Sequence, residues 1–536
     1  MSQHLDASDV VIVGLGPVGS ALAILLGQMG HDVTVLERWP TAYPLPRAVH
    51  FDDEVARILQ SCGIGAVLPD ITEPPDIYEW RNAAGDTLLR FGMSGVGTSG
   101  WSRGLMFHQP QLEAALAERV ASLPNVRVRK SVEFTGVDSD GDGLTVRYRG
   151  ISVIQDADGR PIVEPTGDEG SVSARYVVGC DGANSSVRDA AQFTLTDLGF
   201  FYDWFIVDLV FNEHREFNPT NLQVCDPARP TTVVSGGPGR RRWEFMRLPT
   251  ESREDFVDES AAWRLLEPWD VTPENARLER HAVYTFQARW VDNWRDGKVL
   301  LAGDAAHQMP PFAGQGMCAG IRDAANLAWK LDHVLHGHAP GSLLDLYGIE
   351  RRPSVQSAIE FSMELGKVIC VPDAEAAAAR DQAMIPAASD GQLAEIPPLP
   401  GIVEGFRLDD DALAGELFTQ ASVEADGRVA LLDDHVGAGW RLLTIDRAVA
   451  DAIDADIADW FASIGGRTVV IAPDGDVADV DDVYASWFDG AGVSVVLQRP
   501  DFYMFGGGSG PDDGARLLAA ARDMLAMAAG RQGGNS

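Results

Sequence analysis

Three glycines near the start of the chain have the spacing needed to bind a phosphate group. Gly14, Gly16 and Gly19 form a G-x-G-x-x-G pattern after a short apolar run, and Glu37 ends the next apolar run. Gly14 permits a tight turn, Gly16 lets the backbone approach a pyrophosphate, and Gly19 lets a helix pack closely against a strand. Glu37 can accept a hydrogen bond from a ribose hydroxyl. The pattern predicts a dinucleotide-binding βαβ unit with the pyrophosphate at the positive end of its helix.

A second glycine-rich segment joins an apolar run to a helical pattern. Asp304 follows the apolar run, and the loop after it contains Gly314 and Gly316, where the helical pattern begins. The backbone N–H groups of Met317 and Cys318, at the start of that helix, would stabilise negative charge placed against them. An ordinary strand–loop–helix corner is the alternative interpretation.

A third motif, Asp181-Gly182, lies between these two in the string VGCDGANSSVR at 178–188. Alone, it could be a plain turn followed by a helix cap at Ser185. In this order, the three motifs resemble those of the class A flavoprotein monooxygenases, the group of para-hydroxybenzoate hydroxylase and phenol hydroxylase. The resemblance implies tightly bound, non-covalent FAD, NADH or NADPH as co-substrate, and O2.

Several local strings resemble one branch of that family, the hydroxyphenylpropionate hydroxylases. They are PRAVHFDDE at 46–54, DWFIVD at 203–208, CDPARP at 225–230 and RDAANLAWK at 322–330. The resemblance covers about residues 1–370, and VVLQRPDF at 495–502 is similar to the C-terminal domain of the branch. That domain is thioredoxin-like in related hydroxylases. Here it contains no Cys, so a dithiol redox role is chemically excluded and a structural or oligomerising role is favoured.

The resemblance also assigns residues to the cofactor by matching position. It implies that Asp304 binds the ribityl chain, and that Arg47 and Gln109 contact the FAD phosphate or ribityl region. A surface Arg and a helix-cap Gln are the alternatives for these two. Asp181 belongs to a motif associated with both FAD and NAD(P)H. The residues assigned to cofactor binding are Gly14, Gly16, Gly19, Glu37, Arg38, Arg47, Gln109, Asp181, Asp304, Gly314, Gly316, Met317 and Cys318.

Five residues are candidates for the chemistry. A phenol must become more phenolate-like before its ring attacks an electrophilic oxygen, so a general base is expected. Asp52 corresponds to such a base in phenol hydroxylases, although it could instead cap a helix; His50 is the second candidate. The backbone carbonyl of Pro311 could accept a hydrogen bond from the flavin hydroperoxide, or the proline could only stiffen its loop. Arg242 and Trp204 correspond to residues beside the mobile flavin, with simple burial as the alternative for the Trp.

Hydrophobic periodicity predicts the elements that position these residues. Apolar runs at 9–13 and 32–36 flank a helical pattern at 17–29, and short runs rich in Val, Phe and Trp fill 201–284, as expected for an antiparallel sheet. We therefore predict an α/β fold, α+β overall, with a Rossmann-like FAD-binding domain, an interleaved antiparallel-sheet substrate domain and a C-terminal thioredoxin-like α/β domain. The predicted boundaries are 1–75, 103–190 and 290–371 for the FAD-binding domain, 76–102 and 191–289 for the substrate domain, 372–399 for a linker, and 400–536 for the C-terminal domain.

The acidic composition argues against several classes of partner. With 79 acidic and 43 basic side chains, the net charge of −36 repels nucleic acid and anionic lipid. No apolar run approaches the roughly 18–20 residues of a membrane span, and the polar N-terminus is unlike a secretory signal. These features predict a cytoplasmic protein that binds a small phenol, with a homo-oligomer allowed. Five scattered Cys and an isolated His307 form no ligand pattern, so no metal is predicted.

These observations together predict an enzyme, a flavoprotein monooxygenase. It would hydroxylate a phenolic ring ortho or para to an existing hydroxyl through a flavin C4a-hydroperoxide. The expected substrate is a hydroxyphenylpropionate-like or other single-ring phenolic acid. Two alternatives stay open: a polycyclic, polyketide-like phenol as the substrate, and a flavin-binding module without turnover.

Overall fold

The strand–helix–strand unit at the start of the chain forms where the glycine motif predicts it. Strand Ser8–Val13 leads into helix Pro17–Gln28 and strand Val33–Glu37, and all three are almost completely buried. Such burial of a strand on both faces is typical of a parallel sheet covered by helices. The computed structural model describes residues 3–4, 7–41, 47–141, 143–155, 161–388 and 393–527.

The strands of the first two thirds of the chain are numbered in chain order. They are β1 (Gln3–His4), β2 (Ser8–Val13), β3 (Val33–Glu37), β4 (His50–Asp52), β5 (Thr72–Glu73), β6 (Ile77–Arg81), β7 (Thr87–Gly92), β8 (Gly104–Phe107), β9 (Val126–Lys130), β10 (Val132–Asp140), β11 (Gly143–Gln155), β12 (Pro161–Gly179), β13 (Leu195–Phe211), β14 (Asn221–Val224), β15 (Thr231–Ser235), β16 (Arg240–Met246), β17 (Ala276–Val291), β18 (Arg295–Asp296), β19 (Val299–Leu301) and β20 (His307–Gln308). The C-terminal strands are β21 (Ser422–Ala425), β22 (Arg428–Leu431), β23 (Arg441–Thr444), β24 (Arg467–Val470), β25 (Ala478–Asp479), β26 (Val495–Gln498) and β27 (Met504–Gly508).

The helices are numbered in the same way. They are α1 (Pro17–Gln28), α2 (Asp53–Leu59), α3 (Leu68–Ile71), α4 (Gln109–Ala121), α5 (Ser186–Ala190), α6 (Glu259–Leu266), α7 (Gly316–Leu335), α8 (Asp345–Ile369), α9 (Ala374–Ala388), α10 (Leu432–Val436), α11 (Arg447–Asp451), α12 (Ala455–Ser463), α13 (Val483–Ala491) and α14 (Asp513–Met527). Single 3-10 turns include Gly303–Ala305 and Pro311–Ala313.

The first sheet has a parallel core. β12 pairs in parallel with β2 and with β19, and β2 continues through β3 to β9. The antiparallel strands β10 and β11 extend β12 on the other side. Because the carboxyl ends of β2, β12 and β19 lie side by side, the loops that carry the three sequence motifs meet at one edge of this sheet.

The second sheet is mainly antiparallel and has the order β20-β17-β13-β16-β15-β14-β6-β7. Strands β6 and β7 come from an early part of the chain and join strands from 195–291, so the two sheets are interleaved in sequence as predicted. One face of β13 contributes Phe205, Val207 and Leu209 to a hydrophobic cluster that includes α6. The opposite face contains Trp204, Ile206 and Asp208, since side chains alternate along a strand.

The C-terminal region has the predicted thioredoxin-like topology. Its main sheet has the order β24-β23-β26-β27, in which β23 and β24 are parallel and the other pairs are antiparallel. Helix α12 connects β23 to β24, and α14 follows β27. The α/β fold class predicted from the sequence is therefore confirmed.

The segment 372–399, predicted to be a linker, contains α9, whose Ala-rich sequence is a good helix former. Arg380 in this helix donates a hydrogen bond to the carbonyl of Cys225 at 2.7 Å, so the helix is attached to the antiparallel sheet. Residues 389–392 of that segment and 528–536 at the C-terminus lie outside the described part of the chain. Among the described helices, none is both long and apolar enough to cross a bilayer.

Candidate active site

The three N-terminal glycines form a turn with room for a ligand only at its centre. Gly14 has φ +102°, and a Cβ there would collide with the carbonyl of Cys180. A Cβ on Gly19 would collide with the carbonyl of Gly14, so the helix approaches the strand closely. A Cβ on Gly16 would meet nothing within 4 Å. The open backbone at Gly16 fits the pyrophosphate position predicted from the sequence.

Glu37 lies at the end of β3 beside this turn. Its carboxylate accepts hydrogen bonds from the backbone N–H groups of Leu15 and Trp39, both at 2.7 Å. The guanidinium of the neighbouring Arg38 lies 5.2 Å from the centre of the Trp39 ring. Glu37 therefore fixes the conformation of the glycine turn, and its position at the strand end is that predicted for a ribose contact.

Gln109 and Arg47, both assigned to the cofactor from the sequence, lie next to each other, and their contact with FAD stays a prediction. The Gln109 side-chain oxygen accepts from the N–H groups of Arg47 and Ala48 at 2.8 and 2.7 Å, and its amide donates to Glu113 at 2.6 Å. The Arg47 carbonyl accepts from Arg242 of the second sheet at 2.7 Å. This segment therefore connects α4 of the FAD-binding part with the antiparallel sheet.

Asp181 has the geometry of a helix cap. Its carboxylate accepts from the Ser185 hydroxyl at 2.5 Å and from the Ser186 N–H at 2.7 Å, at the start of α5. Arg188 in this helix donates to the carbonyl of Ala305 at 3.2 Å. Asp181 thus holds α5 against the Gly303–Ala305 turn, and a direct cofactor contact by its carboxylate stays a prediction.

The Gly303–Ala305 turn and the start of α7 form the second half of the predicted cofactor site. Asp304 is exposed, and within the described chain its carboxylate has no hydrogen-bond partner, which leaves it available for a ligand hydroxyl. The first hydrogen bond of the helix joins the Ala319 N–H to the Gln315 carbonyl at 2.8 Å. The N–H groups of Met317 and Cys318 precede that bond and have no helical acceptor. These groups fit the polar ribityl chain and the electron-rich edge of a flavin.

His307 follows the same turn and has a hydrogen-bonding role. It is completely buried, and its Nε2 lies 2.7 Å from Asp323, which also accepts from Arg351 at 3.0 Å. His307 and Arg351 hold the pKa of Asp323 below its usual range against the effect of burial. The Asp323 oxygen that contacts His307 also accepts from the Gly303 N–H at 3.1 Å, which fixes the turn that presents Asp304.

The Pro311–Ala313 turn lies between the cofactor site and the second sheet. The Pro311 carbonyl accepts from the Gly314 N–H at 2.8 Å, which leaves one lone pair for another donor. Gly314 has φ +65°, a left-handed conformation that glycine adopts without strain. The Phe312 ring packs edge-on against Trp204, with 5.7 Å between ring centres. Trp204 is fully buried beneath this turn, so it supports the loop from behind.

Asp52 has the helix-cap geometry that was its alternative interpretation. One carboxylate oxygen accepts from the Val55 N–H at 3.1 Å, at the start of α2. The other accepts from Arg322 at 2.6 Å and from Gln315 at 3.1 Å. The guanidinium of Arg322 holds the pKa of Asp52 below its usual range although burial opposes this. An anion with both oxygens bonded is a weak base, so the structure favours a structural role for Asp52.

His50 is better placed to accept a proton. Its pKa is lowered by burial, so the imidazole is neutral at pH 7, although the nearby Asp52 partly opposes the shift. A hydrogen bond to the backbone of Gly314 binds one ring nitrogen, and Nε2 is buried with no partner among the described residues. The position that a Cβ on Gly104 would occupy is 2.9 Å from Nε2, so this atom lies against the glycine of β8, where a larger residue would not fit.

The polar face of the second sheet contains Arg242, a candidate from the sequence, together with charged neighbours that the sequence analysis missed. Arg242 donates to both oxygens of Asp208, at 2.7 and 3.1 Å, and lies 3.6 Å from Glu244. Burial raises the pKa of Glu244. Arg280 lies with its guanidinium 4.4 Å from the ring centre of Tyr284. On these strands, polar side chains alternate with apolar ones along the sequence. That alternation could have identified this face.

One group of potential metal ligands occurs among the described residues. His31, Asp332 and His336 place ligand atoms within 4.8 Å of one another, away from the site just described. Both imidazoles lie at hydrogen-bond distance from the same carboxylate oxygen of Asp332, 2.8 and 2.9 Å. Hydrogen bonds account for this cluster, and the absence of a metal stays a prediction.

Comparison with known proteins identifies the class. Residues 7–362 match the family described as FAD binding domain, and residues 415–523 match the HcaD C-terminal domain. The chain is 40% identical over 98% of its length to a probable NADH-specific resorcinol 4-hydroxylase of Rhodococcus jostii (strain RHA1), covering 96% of that protein. It is 34% identical over 92% of its length to a 3-(3-hydroxy-phenyl)propionate/3-hydroxycinnamic acid hydroxylase of Mycobacterium sp. (strain JLS), covering 88% of it.

Solved structures share the fold. The flavin-dependent monooxygenase PieE, in complex with FAD and substrate, superposes with a TM-score of 0.80 at 22% identity, over 97% of this chain and 99% of that one. Aklavinone-11 hydroxylase with FAD and aklavinone gives 0.75 at 22% identity, over 98% and 100%. The fold and the site therefore define an FAD-dependent aromatic hydroxylase. The chain belongs to the FAD-binding family of these NAD(P)H-dependent monooxygenases, which confirms the enzyme class and cofactors predicted from the sequence.

Proposed function

We propose that this enzyme hydroxylates a small, single-ring phenol, ortho or para to an existing hydroxyl, with NADH as the electron donor. The observation that carries this proposal is the buried Nε2 of His50, which has no hydrogen-bond partner among the described residues and lies beside the turn that ends at Gly314. Burial lowers the pKa of this imidazole, which favours its neutral form. The similarity to a resorcinol hydroxylase over nearly the whole chain supports the substrate class and the choice of NADH. Aklavinone, by contrast, is bound in a solved structure that shares only the fold with this chain, at 22% identity.

The protein's own contribution to the chemistry begins with the phenolic proton. Bound FAD supplies the electrons taken from NADH and the activation of O2. The Gly314 backbone accepts the Nδ1 proton of His50, which leaves the Nε2 lone pair to take the proton of a phenol. The phenolate donates electron density to its ortho and para carbons. The role of base predicted for Asp52 therefore moves to His50.

Asp52 supports this proton transfer through its charge. Arg322 and Gln315 keep its carboxylate anionic and fixed in place, and the negative charge favours the protonated form of His50. The imidazolium formed during the reaction is thus stabilised without a change in the protonation of Asp52.

The remaining features of the proposal concern partners and location. The strongly acidic net charge of −36 fits a small-molecule enzyme better than a nucleic-acid or membrane-surface protein. We propose a cytoplasmic enzyme, with the thioredoxin-like domain available for self-association. The domain boundaries given from the sequence stay part of this proposal.

Product analysis with paired variants tests the function. Purified enzyme with NADH and O2 is offered resorcinol, 3-(3-hydroxyphenyl)propionate and a fused-ring phenol. We expect hydroxylated product from a single-ring phenol, and a loss of product of about 100-fold in His50→Gln, within the range that general bases contribute. His214→Gln, on the surface, is the control. Product from the fused-ring phenol alone would overturn the substrate class, and full activity of His50→Gln would overturn its role.

A further inference from the structure

The C-terminal domain contacts the region of the flavin site through one buried tyrosine. Tyr503 lies immediately before β27 and is 7% exposed. Its hydroxyl donates to a carboxylate oxygen of Glu54 at 2.7 Å, across 449 residues of sequence. Glu54 belongs to the first turn of α2, directly after Asp52 and Asp53. The domain therefore touches the same short segment that contains His50 and Asp52.

Glu54 connects Tyr503 to Arg322 of α7. The second carboxylate oxygen of Glu54 accepts from the Arg322 Nε at 2.5 Å. The two terminal nitrogens of Arg322 donate to Asp52 at 2.6 Å and to the side-chain oxygen of Gln315 at 3.0 Å. All members of this chain are largely buried, so water does not replace a contact that is lost.

The chain ends on two groups that define the cofactor site. Gln315 is the N-cap residue of α7, whose first N–H groups fit the flavin. Its amide also donates to Asp52 at 3.1 Å, which closes a ring of hydrogen bonds with Arg322. Asp52 in turn influences the charge of His50. Three hydrogen bonds thus connect Tyr503 with Gln315 at the helix start, and three connect it with Asp52, whose charge acts on the candidate base.

The charges explain why one hydroxyl matters. Arg322 is shared between two buried carboxylates, Glu54 and Asp52. The hydroxyl of Tyr503 donates to one oxygen of Glu54. Glu54 therefore needs only the Nε of Arg322, and the two terminal nitrogens of Arg322 bond to Asp52 and Gln315. Without this donor, Glu54 is an incompletely bonded buried anion, and it attracts Arg322 more strongly. Arg322 would then hold Asp52 and Gln315 less firmly.

We propose that Tyr503 is a positioning residue of the flavin site, and that Tyr503, Glu54 and Arg322 give the C-terminal domain a direct influence on the start of α7. This inference deepens the proposed function and rests on it for the role of His50. It assigns to the domain a role that requires no Cys. The hydroxyl does not touch the substrate, and it acts only through the positions of Asp52 and Gln315.

Other contacts dock the domain independently of Tyr503. Arg57 of α2 donates to Asp433 at 2.6 Å and to the carbonyl of Phe418 at 2.6 Å. Arg499 donates to Glu350 of α8 at 2.5 Å. Removal of one hydroxyl therefore leaves the domain attached, and the effect on the flavin site can be separated from loss of docking.

The test compares Tyr503→Phe with Tyr484→Phe in the full-length enzyme. Tyr484 is a fully buried tyrosine of the same domain, and its hydroxyl accepts from the Ala421 N–H at 2.9 Å, within that domain. Both variants lose one hydroxyl and one buried hydrogen bond, but only Tyr503 is connected to Arg322. Thermal unfolding checks that both are folded.

The flavin itself provides the first readout, which does not depend on any substrate. We expect Tyr503→Phe to shift the visible spectrum of bound FAD and to weaken FAD binding about 5- to 10-fold by fluorescence titration. Glu54→Gln, the next member of the chain, should shift the spectrum in the same direction. Tyr484→Phe should match the wild type. Equal spectra and affinities in Tyr503→Phe and Tyr484→Phe would overturn the proposal.

The pH profile of hydroxylation is the second readout. If Asp52 is held less firmly, it stabilises the protonated form of His50 less, and the pKa of His50 falls. The acidic limb of the pH profile should then move to lower pH in Tyr503→Phe but not in Tyr484→Phe. A shifted flavin spectrum in an enzyme that hydroxylates no phenol would support the positioning role and reject the proposed function. An unmoved limb in Tyr503→Phe, in an active enzyme, would overturn the connection to His50.

Discussion

Arg242 and Asp208 form a buried, two-point ion pair on the face of the second sheet that meets the FAD-binding part of the chain. Both side chains are less than 10% exposed, and their N–O distances are 2.7 and 3.1 Å. The guanidinium also donates to the carbonyl of Arg47, in the segment held by Gln109. This one side chain therefore connects the sheet with the neighbourhood of the glycine turn.

Replacing Arg242 by Met should destabilise the protein by about 3 kcal/mol, because buried Asp208 would lose both hydrogen bonds and keep only the Arg280 guanidinium, 3.7 Å away. The change in the free energy of unfolding is measured by denaturant titration. Arg240→Met is the matched control, since the Arg240–Glu279 pair at 3.2 Å is partly exposed and should contribute about 0–1 kcal/mol. Equal losses of unfolding free energy in the two variants would show that the buried pair stabilises the protein no more than the partly exposed one.

Asp53 makes stability depend on pH near neutrality. Burial and the charge of Asp52 raise the pKa of Asp53 to about 6, from 3.8. The folded protein therefore holds this proton more tightly than the unfolded chain, so stability falls as the pH rises from about 4 to about 6 and stays lower above that. Asn can still accept from the Ser99 N–H at 2.8 Å.

Asp53→Asn should thus be more stable than the wild type at pH 7.5, by up to about 3 kcal/mol for a shift of about two pKa units. The advantage should shrink toward pH 4, where the wild-type carboxyl is protonated. Denaturant unfolding at pH 4, 6 and 7.5 measures this. Asp489→Asn, at an exposed position of α13, should show no such trend. A variant that is less stable at pH 7.5 would contradict the argument.

A buried cluster at the C-terminal domain predicts sensitivity to acid. Glu350 accepts from Lys330 at 2.7 Å and Arg499 at 2.5 Å, and these cations hold its pKa at about 2. The stabilisation is complete above the unfolded pKa of about 4.5 and is lost as the pH falls toward 2. It should amount to about 3 kcal/mol.

Unfolding measured between pH 5 and pH 2.5 should therefore be steep in the wild type and flatter in Glu350→Gln. That variant should already be about 3 kcal/mol less stable at pH 7, because buried Lys330 loses its anion and Arg499 keeps only Asp501. Glu364→Gln is the control, since its pair with Lys367 is more than 60% exposed. Parallel pH curves for Glu350→Gln and wild type would contradict this prediction.

Retention of FAD tests the Gly303–Ala305 turn. Asp304 is exposed and has no partner within the described chain, so its loss removes a ligand contact without removing an internal one. We expect Asp304→Ala to be purified with much less flavin, measured by absorbance per chain, and to bind added FAD at least 10-fold more weakly. Asp296→Ala, on exposed β18, should remain fully yellow. Equal flavin content in both variants would show that Asp304 does not bind FAD.

The sequence predicts the fold and the cofactor loops well because their signals are local. Gly14, Gly16 and Gly19 shape a turn that lies within six residues, and the apolar runs beside them predict the strands of a buried sheet. The thioredoxin-like domain was assigned by resemblance, and its strand order confirms that assignment.

The sequence could not distinguish the roles of Asp52 and His50, because these depend on a distant partner. Arg322, 270 residues away, donates a hydrogen bond to the carboxylate of Asp52, so the imidazole of His50 is the available base. The helix within the predicted linker was missed since its composition, rich in Ala, Asp and Pro, also fits a linker. Tyr503 gave no signal at all, because its hydroxyl acts only through a contact between domains.

The last prediction concerns the order of events in catalysis. The described part of the chain has one parallel sheet of the dinucleotide-binding type, and its glycine turn is assigned to FAD. The nicotinamide co-substrate therefore has no second Rossmann domain there, and we expect its contact with the flavin to be brief. Reduction without substrate would waste NADH as H2O2, so an enzyme gains by coupling reduction to an occupied, deprotonated phenol.

Stopped-flow reduction by NADH should accelerate by orders of magnitude when the correct phenol is present, and the new hydroxyl should be ortho or para to the old one. Since burial lowers the pKa of His50, hydroxylation should persist to a pH below the usual imidazole range and then decline. His50→Gln should slow hydroxylation more than reduction, whereas Asp52→Asn should weaken FAD binding as well, because Arg322 and Gln315 lose their common acceptor. Equal reduction rates with and without every phenol that is turned over, or meta-hydroxylated products, would count decisively against this mechanism.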